Sequence, residues 1–160
     1  PKSRELYEGK SVKEWIEICV QCLKLPIRPI ISRIPGRREN HLNFTLDTAH
    51  NQQAINYLLN IDNNYQKIIL GMLKDKDIES FVSELPKNCT VLACNLGSER
   101  SAKPEYISAI CAKLNITCKQ HESVAEAILS LNDEKTLITG SFYTVAEARA
   151  HFKLEGYSEL

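Results

Sequence analysis

Side chains able to bind an anion are concentrated in four short segments of this 160-residue chain. The segments are 47–51 (DTAHN), 71–77 (GMLKDKD), 95–100 (NLGSER) and 140–144 (GSFYT), and each follows an apolar run. Their candidate ligand-binding residues are Asp47, His50, Lys74, Lys76, Arg100 and Ser141. Cationic and hydroxyl groups bind carboxylates and phosphates, and a carboxylate accepts hydrogen bonds from sugar hydroxyls. If the fold brings these segments together, they form a site for an anionic ligand that carries hydroxyl groups.

Each of these residues has a simpler explanation when it is taken alone. Asp47 could cap the helix that follows it, and Ser141 could be an ordinary turn residue. Lys74 and Lys76 alternate with acidic residues, as in many solvated loops. His50 could be a surface or capping histidine. The prediction of a site therefore depends on the residues lying together in the folded chain.

An alternation of apolar runs and amphipathic segments predicts how the four segments are positioned. Apolar or β-branched runs predict strands at 43–46, 67–70, 89–94, 116–118 and 136–139. Helical periodicity predicts helices at 51–59 and after Asp77, from Pro104, and at the Ser-x-x-Glu and Thr-x-x-Glu patterns that begin at Ser123 and Thr144. We therefore predict an α/β fold with a single Rossmann-like, doubly wound, mostly parallel sheet and helices on both faces.

The loops that follow parallel strands lie at one edge of such a sheet. Ligands bind beyond the carboxyl ends of the strands, and the N-terminus of each following helix offers free N–H groups to an anion. All four polar segments are loops of this kind. The predicted fold therefore collects the candidate residues on one rim.

A first helix at 11–25 lies outside this alternation, and a connector at 26–36 containing Pro26, Pro29, Pro35 and Gly36 follows it. We predict two regions. Residues 1–35 form an N-terminal helix and an interdomain linker, the tail of a preceding domain. Residues 36–160 form the α/β domain.

The composition excludes several classes of protein. The 20 Lys and Arg residues balance the 20 Asp and Glu residues, so there is no basic field for nucleic acid. No apolar run is long enough for a membrane helix, and no signal peptide is recognisable. The six cysteines favour free thiols in a reducing cytoplasm, and a zinc site made of Cys19, Cys22, Cys118 and His121 is rejected because the first pair lies within a helical pattern. We expect a cytoplasmic monomer without a metal site of its own.

Four strings occur in order and at suitable spacing: PGR at 35–37, LDTAHN at 46–51, GMLKDKD at 71–77 and GSFYTV at 140–145. Because of these four strings, residues 34–154 resemble the C-terminal domain of folylpolyglutamate synthase/dihydrofolate synthase, in the Mur ligase superfamily. The GMLKDKD string is the most specific, because it separates the folate branch from the peptidoglycan ligases.

The resemblance implies part of an ATP-dependent amide ligase of folate biosynthesis and one-carbon metabolism. In that family ATP phosphorylates a carboxylate, and the amine of L-glutamate attacks the acyl phosphate. A preceding ATPase domain would carry the P-loop and the magnesium ligands, so the cofactors are ATP and Mg²⁺. The acceptor is folate or dihydropteroate. The chain is then expected to be a fragment that holds no catalytic residue and is inactive alone.

The resemblance also implies roles for individual residues. Arg37 would reach the ATP phosphates, and Asp47 would accept hydrogen bonds from the ribose or position the nucleotide. The carboxylates of glutamate would be held by His50, Lys76 and Ser141, with Lys74 a weaker candidate. Domain closure would bring this rim to the ATP site and exclude water from the acyl phosphate.

Two alternatives to the ligase domain remain at this stage. One is a non-enzymatic or regulatory α/β domain that keeps the fold and binds a ligand. The other is a stand-alone nucleotide-binding protein of the flavodoxin-like kind. A glycine-rich phosphate loop after the first strand would favour the second, and the segment 47–51 contains no glycine.

Alkylation of the unreduced protein tests the prediction about the cysteines. We expect mass spectrometry to count six reactive thiols after denaturation, and elemental analysis to find no stoichiometric zinc. A disulfide-linked peptide or one bound zinc per chain would contradict the prediction.

Overall fold

The computed structural model describes residues 34–155, all within one compact unit, Arg33–Leu160. The predicted helix at 11–25, most of the connector at 26–36, and Cys19 and Cys22 lie outside the described residues. The boundary between the two predicted regions therefore stays a prediction. None of the helices within residues 34–155 has the length and apolar character of a membrane span.

The described residues form a six-stranded sheet with the order β1-β2-β6-β3-β4-β5. Its strands are β1 (Glu39–His41), β2 (Phe44–Leu46), β3 (Lys67–Leu70), β4 (Thr90–Cys94), β5 (Thr117–His121) and β6 (Thr136–Thr139). All neighbours pair in parallel except β1, which forms an antiparallel hairpin with β2. The predicted α/β fold with a doubly wound, mostly parallel sheet is confirmed.

Five helices connect the strands: α1 (Gln52–Ile61), α2 (Ile78–Ser83), α3 (Pro104–Lys113), α4 (Val124–Leu129) and α5 (Phe142–His151). Their N-termini are defined by local chemistry. The side chains of Asn51, Asp77, Ser123 and Ser141 each accept a hydrogen bond from a backbone N–H in the first turn of their helix. Pro104 takes the first position of α3, where its missing N–H costs nothing.

Two apolar layers cover the sheet because neighbouring side chains of a strand point to opposite faces. Ile68 and Leu70 of β3 pack with α1, α2 and α3, whereas Ile69 packs with α4 and α5. All three side chains are completely buried. This arrangement explains why the central strands are apolar without interruption.

The structure corrects two local predictions and adds one strand. The last helix begins at Phe142 rather than Thr144, because Ser141 provides the cap and Thr144 lies in the first turn. The strand expected at 116–118 runs from Thr117 to His121. Strand β1 has no apolar pattern and was not predicted; it forms because pairing with β2 satisfies its backbone.

Close contact at the carboxyl edge requires glycine at position 140. Gly140 has φ of +105°, and a Cβ there would lie 2.6 Å from the carbonyl oxygen of Gly71. A backbone atom cannot move aside as a flexible side chain does. The loop after β6 can therefore approach the loop after β3 this closely only without a side chain.

Substitution of Gly140 tests this contact. We expect Gly140→Ala to lower the free energy of unfolding by roughly 2–5 kcal/mol through strain and overpacking. Gly97→Ala is the matched control, because Gly97 also has positive φ (+62°) but open space around it, and should cost only about 1–2 kcal/mol. Urea unfolding followed by circular dichroism measures both, and equal losses would contradict the proposed steric contact.

Candidate functional site

Strand β6 lies between β2 and β3 although it is last in the chain, and this insertion brings the polar loops together. Leu46 of β2 and Ile69 of β3 both align with Ile138 of β6, so the three strands end at the same level. The order in which the strands are added also changes direction here. Strands β3, β4 and β5 follow one another toward one edge of the sheet, and the chain then returns to add β6 beside β3. Such a switch point is the usual ligand site of an open α/β sheet.

A cavity of about 210 Å³ opens at this switch point. It is lined by His50, Leu73, Lys76, Gly140, Ser141, Phe142 and Tyr143. Three of the four residues predicted to hold glutamate are among them. The fourth, Lys74, is exposed and does not line the cavity, and its backbone N–H donates to the carbonyl of Arg100.

His50 is oriented by its own loop. Its Nδ1 lies 3.0 Å from the carbonyl oxygen of Thr48. Because a carbonyl only accepts hydrogen bonds, Nδ1 carries the proton. This contact fixes the half-buried ring and leaves Nε2 for a ligand. The ring also lies beside Phe142, with 6.1 Å between the ring centroids.

Lys76 brings a positive charge to the cavity together with a counter-ion. Its Nζ lies 3.0 Å from the Asp75 carboxylate, which also has Arg100 at 3.7 Å. The hydrogen bond from Lys76 holds the pKa of Asp75 below its usual value. Both side chains of the Lys76–Asp75 pair are partly exposed, so an anionic ligand can compete for the ammonium group at small cost.

Ser141 belongs to a buried network of hydroxyl groups. Its Oγ accepts from the backbone N–H of Thr144 at 3.1 Å and lies 2.7 Å from Thr144 Oγ1. Thr144 Oγ1 in turn donates to the carbonyl oxygen of Gly71 at 2.6 Å. The network connects the loops after β6 and β3 and fixes the serine rotamer at the cavity wall.

Asp47 neither lines the cavity nor caps α1. Its carboxylate is almost fully buried and accepts two backbone hydrogen bonds, from Ala49 N at 2.8 Å and from Arg38 N at 2.9 Å. The second bond crosses from the loop after β2 to the turn that carries Arg37. Thr48 N donates to the carbonyl of Gly36 at 2.9 Å and adds a second link. Asp47 therefore positions Arg37 relative to the loop of His50.

The Arg37 side chain is exposed, and its guanidinium carbon lies 5.9 Å from the centre of the Phe142 ring. His50 contacts the same ring, so Phe142 links the two predicted halves of the site. Phe142 is 57% exposed. The ring therefore remains open to a ligand between the Arg37 turn and the cavity.

An ion pair between Glu39 and Arg149 supports the Arg37 turn, and the sequence analysis missed it. Arg149 of α5 is buried and donates to the Glu39 carboxylate, which also accepts from Gly36 N at 2.8 Å. Arg149 further donates to the carbonyl of Glu155 at 2.8 Å. No sequence signal distinguishes Arg149 from an ordinary basic residue in a last helical turn. Phe142 and Tyr143 could have been predicted as site residues, because they lie inside the GSFYT string.

Within residues 34–155 no group of three or more acidic, histidine or cysteine side chains could hold a metal ion. The four cysteines of this region, Cys89, Cys94, Cys111 and Cys118, are free. Burial raises the pKa of Cys89 to about 11, so its thiol stays protonated at neutral pH. A divalent cation has no ready ligand set on this part of the chain.

The fold and the cavity define a doubly wound α/β domain with a polar site at its topological switch point. A probable bifunctional folylpolyglutamate synthase/dihydropteroate synthase of Haloferax volcanii is 29% identical over 128 residues, which cover 72% of this chain and 15% of that protein. No profile of a known protein family matches the chain. The chain spans well under two thirds of this relative's length.

Solved folylpolyglutamate synthases share the fold. The enzyme from Thermotoga maritima superposes with a TM-score of 0.73 at 20% identity, over 86% of this chain and 37% of that chain. A bifunctional folylpolyglutamate synthase/dihydrofolate synthase with Mn, AMPPNP and L-glutamate bound gives 0.72 at 24% identity, over 86% and 38%. The chain has the α/β fold of the C-terminal domain of folylpolyglutamate synthase, and the resemblance seen in the sequence is confirmed.

The buried carboxylate of Asp47 gives a testable consequence. We expect Asp47→Asn to lower the free energy of unfolding by about 1–3 kcal/mol, because an amide offers one acceptor atom to two N–H groups, those of Ala49 and Arg38, in place of the two carboxylate oxygens. Asp77→Asn is the matched control, since Asp77 is an exposed helix cap and asparagine caps equally well. Thermal melting compares the two variants. Equal stability of both would contradict the proposal that the Asp47 carboxylate holds the two loops together.

Proposed function

We propose that this chain is the C-terminal, glutamate- and ATP-contacting domain of an ATP-dependent ligase that adds L-glutamate to folate or dihydropteroate. The observation that carries the proposal is the cavity at the switch point, where His50, Lys76 and Ser141 meet. Its volume of about 210 Å³ suits a small molecule. A dicarboxylic amino acid needs cationic and hydrogen-bonding partners, and the cavity has both.

The Lys76 ammonium group and the His50 imidazole suit the carboxylates of glutamate. Lys76 exchanges Asp75 for a substrate carboxylate. His50 contacts a carboxylate through Nε2 when its ring is protonated, because Nδ1 already donates to Thr48. Lys74 adds positive potential from the exposed side of the loop. A solved protein of the same fold has L-glutamate bound, which supports a glutamate site on this fold.

The nucleotide lies on the other side of Phe142 in this proposal. The exposed Arg37 guanidinium contacts the ATP phosphates, and Asp47 contributes by fixing the turn that presents Arg37. AMPPNP and Mn in the solved relative support the use of ATP with a divalent metal. As the family resemblance implies, we propose that Mg²⁺ is held by a preceding ATPase domain. Residues 34–155 hold no metal-ligating cluster.

The reaction proceeds by way of an acyl phosphate in this proposal. The lone pair of the neutral glutamate amine forms the amide C–N bond, the bond from the carbonyl carbon to the phosphate oxygen breaks, and phosphate leaves with the bonding electrons. The departing phosphate takes up the proton that the nitrogen loses. This domain holds the glutamate whose amine attacks. It also closes over the acyl phosphate, which water would otherwise hydrolyse. We further propose a cytoplasmic monomer that is inactive without the ATPase domain.

Two substitutions in the protein that joins this chain to its ATPase domain test the division of the site. We expect Arg37→Ala to lower kcat or raise the KM for ATP, and His50→Ala to raise mainly the KM for L-glutamate, each by roughly 10- to 150-fold, the cost of losing a charged hydrogen bond. Coupled measurement of ADP release provides both constants.

Three outcomes decide between the functions. Loss of ATP affinity alone in His50→Ala would contradict the glutamate role of His50. Unchanged kinetics in both variants would reject the rim as a substrate site. Absence of glutamate-dependent ADP release in the unmodified protein would reject the ligase and favour a non-enzymatic or regulatory domain.

A further inference from the structure

Counting protons in the hydroxyl network determines what Ser141 can offer a ligand. The hydroxyl of Thr144 has one proton, and that proton goes to the carbonyl oxygen of Gly71, which lies 2.6 Å away and can only accept. Thr144 Oγ1 therefore cannot donate to Ser141. The 2.7 Å contact between the two hydroxyls must be made by the proton of Ser141.

The opposite arrangement would leave a buried acceptor without its donor. If Thr144 donated to Ser141, the carbonyl of Gly71, a buried residue, would lose the hydrogen bond that the structure gives it. Such a loss is unfavourable, because water cannot replace the donor in a buried position. The network therefore has a preferred direction, from Ser141 through Thr144 to Gly71.

Ser141 Oγ consequently has an acceptor position, and no free proton, for a ligand that reaches it from the cavity. Its proton is donated to Thr144, and one lone pair accepts from Thr144 N at 3.1 Å. One lone pair remains, and Ser141 lines the cavity beside His50 and Lys76. A carboxylate brought against this atom would meet an oxygen lone pair with no proton between them.

We infer that Ser141 Oγ accepts a hydrogen bond from the α-amino group of the amino acid substrate, and that the cationic side chains of the cavity contact its carboxylates. The inference rests on the proposed function and refines it, since Ser141 was expected to hold a carboxylate. The cavity then carries an acceptor for an ammonium or amine and a cation for a carboxylate, which is the pattern that recognises an amino acid.

This assignment gives Ser141 a role in orienting the nucleophile. An amine that donates one N–H to a fixed acceptor loses rotational freedom about its C–N bond, and its lone pair keeps a constant direction. Thr144 acts through Ser141 and is a positioning residue.

A comparison of L-glutamate with glutarate tests the inference, because glutarate has both carboxylates and no amine. The assay is ADP release by the protein that joins this chain to its ATPase domain, with glutarate as a competitive inhibitor. We expect Ser141→Ala to raise the KM for L-glutamate roughly 10-fold and to leave the Ki of glutarate within twofold of the wild-type value.

Three control variants separate this effect from damage to the fold. Ser141→Thr keeps both the cap and the acceptor and should restore the KM. Ser123→Ala removes an equivalent serine cap, which accepts from Glu126 N at 3.1 Å at the start of α4, and should leave both constants unchanged. Thr144→Val releases the proton of Ser141 and should reduce the preference for L-glutamate over glutarate.

The outcomes distinguish this inference from the proposed function. If the wild-type protein is active and Ser141→Ala raises the KM and the Ki by the same factor, Ser141 binds a carboxylate and the inference is overturned, while the ligase remains. If Ser123→Ala reproduces the effect of Ser141→Ala, the change reflects the lost cap, which also overturns the inference. A wild-type protein without glutamate-dependent ADP release overturns both.

Discussion

The insertion of β6 between β2 and β3 is the constraint on which the candidate site depends. The carbonyl oxygen of Ala49, in the loop after β2, accepts from Gly140 N at 2.9 Å and from Thr139 Oγ1 at 3.2 Å. On the other side, Gly71 N donates to the carbonyl of Thr139 at 3.3 Å. These bonds join three loops that are far apart in sequence. They hold His50 and Ser141 on one cavity because the three strand ends are in register.

Helix α5 transmits this constraint to the rest of the site. Its first turn contains the hydroxyl network and Phe142, and its last turn contains Arg149. The buried ion pair of Arg149 with Glu39 connects the helix to the hairpin and, through Glu39, to the turn that carries Arg37. One rigid element therefore sets the cavity wall and the position of an exposed guanidinium together. A buried pair of this kind is costly to break on one side only, because the remaining charge has no partner.

The charges of the site are arranged so that a ligand can replace internal partners. Lys76 has Asp75 as a counter-ion at a partly exposed position, whereas Asp47 is buried and committed to two backbone N–H groups. Separating the exposed ion pair costs little free energy, whereas breaking the hydrogen bonds of the buried carboxylate costs much more. The two carboxylates, Asp75 and Asp47, thus have different roles. In the proposed function Lys76 is the group that an anionic ligand can engage, whereas Asp47 maintains the geometry of the loops.

Local sequence was sufficient for the elements, and tertiary contacts decided the site. The bounds of β3 and β6 and the capping residues Asp77 and Ser123 followed from apolar runs and cap chemistry, because these depend on residues a few positions apart. The place of β6 in the sheet and the partners of Asp47 and Ser141 could not be predicted in this way. Thr144 and Gly71, for example, are separated by 73 residues. Only the folded chain selects such a donor for such an acceptor, because a buried polar group must find its partner wherever the packing places one.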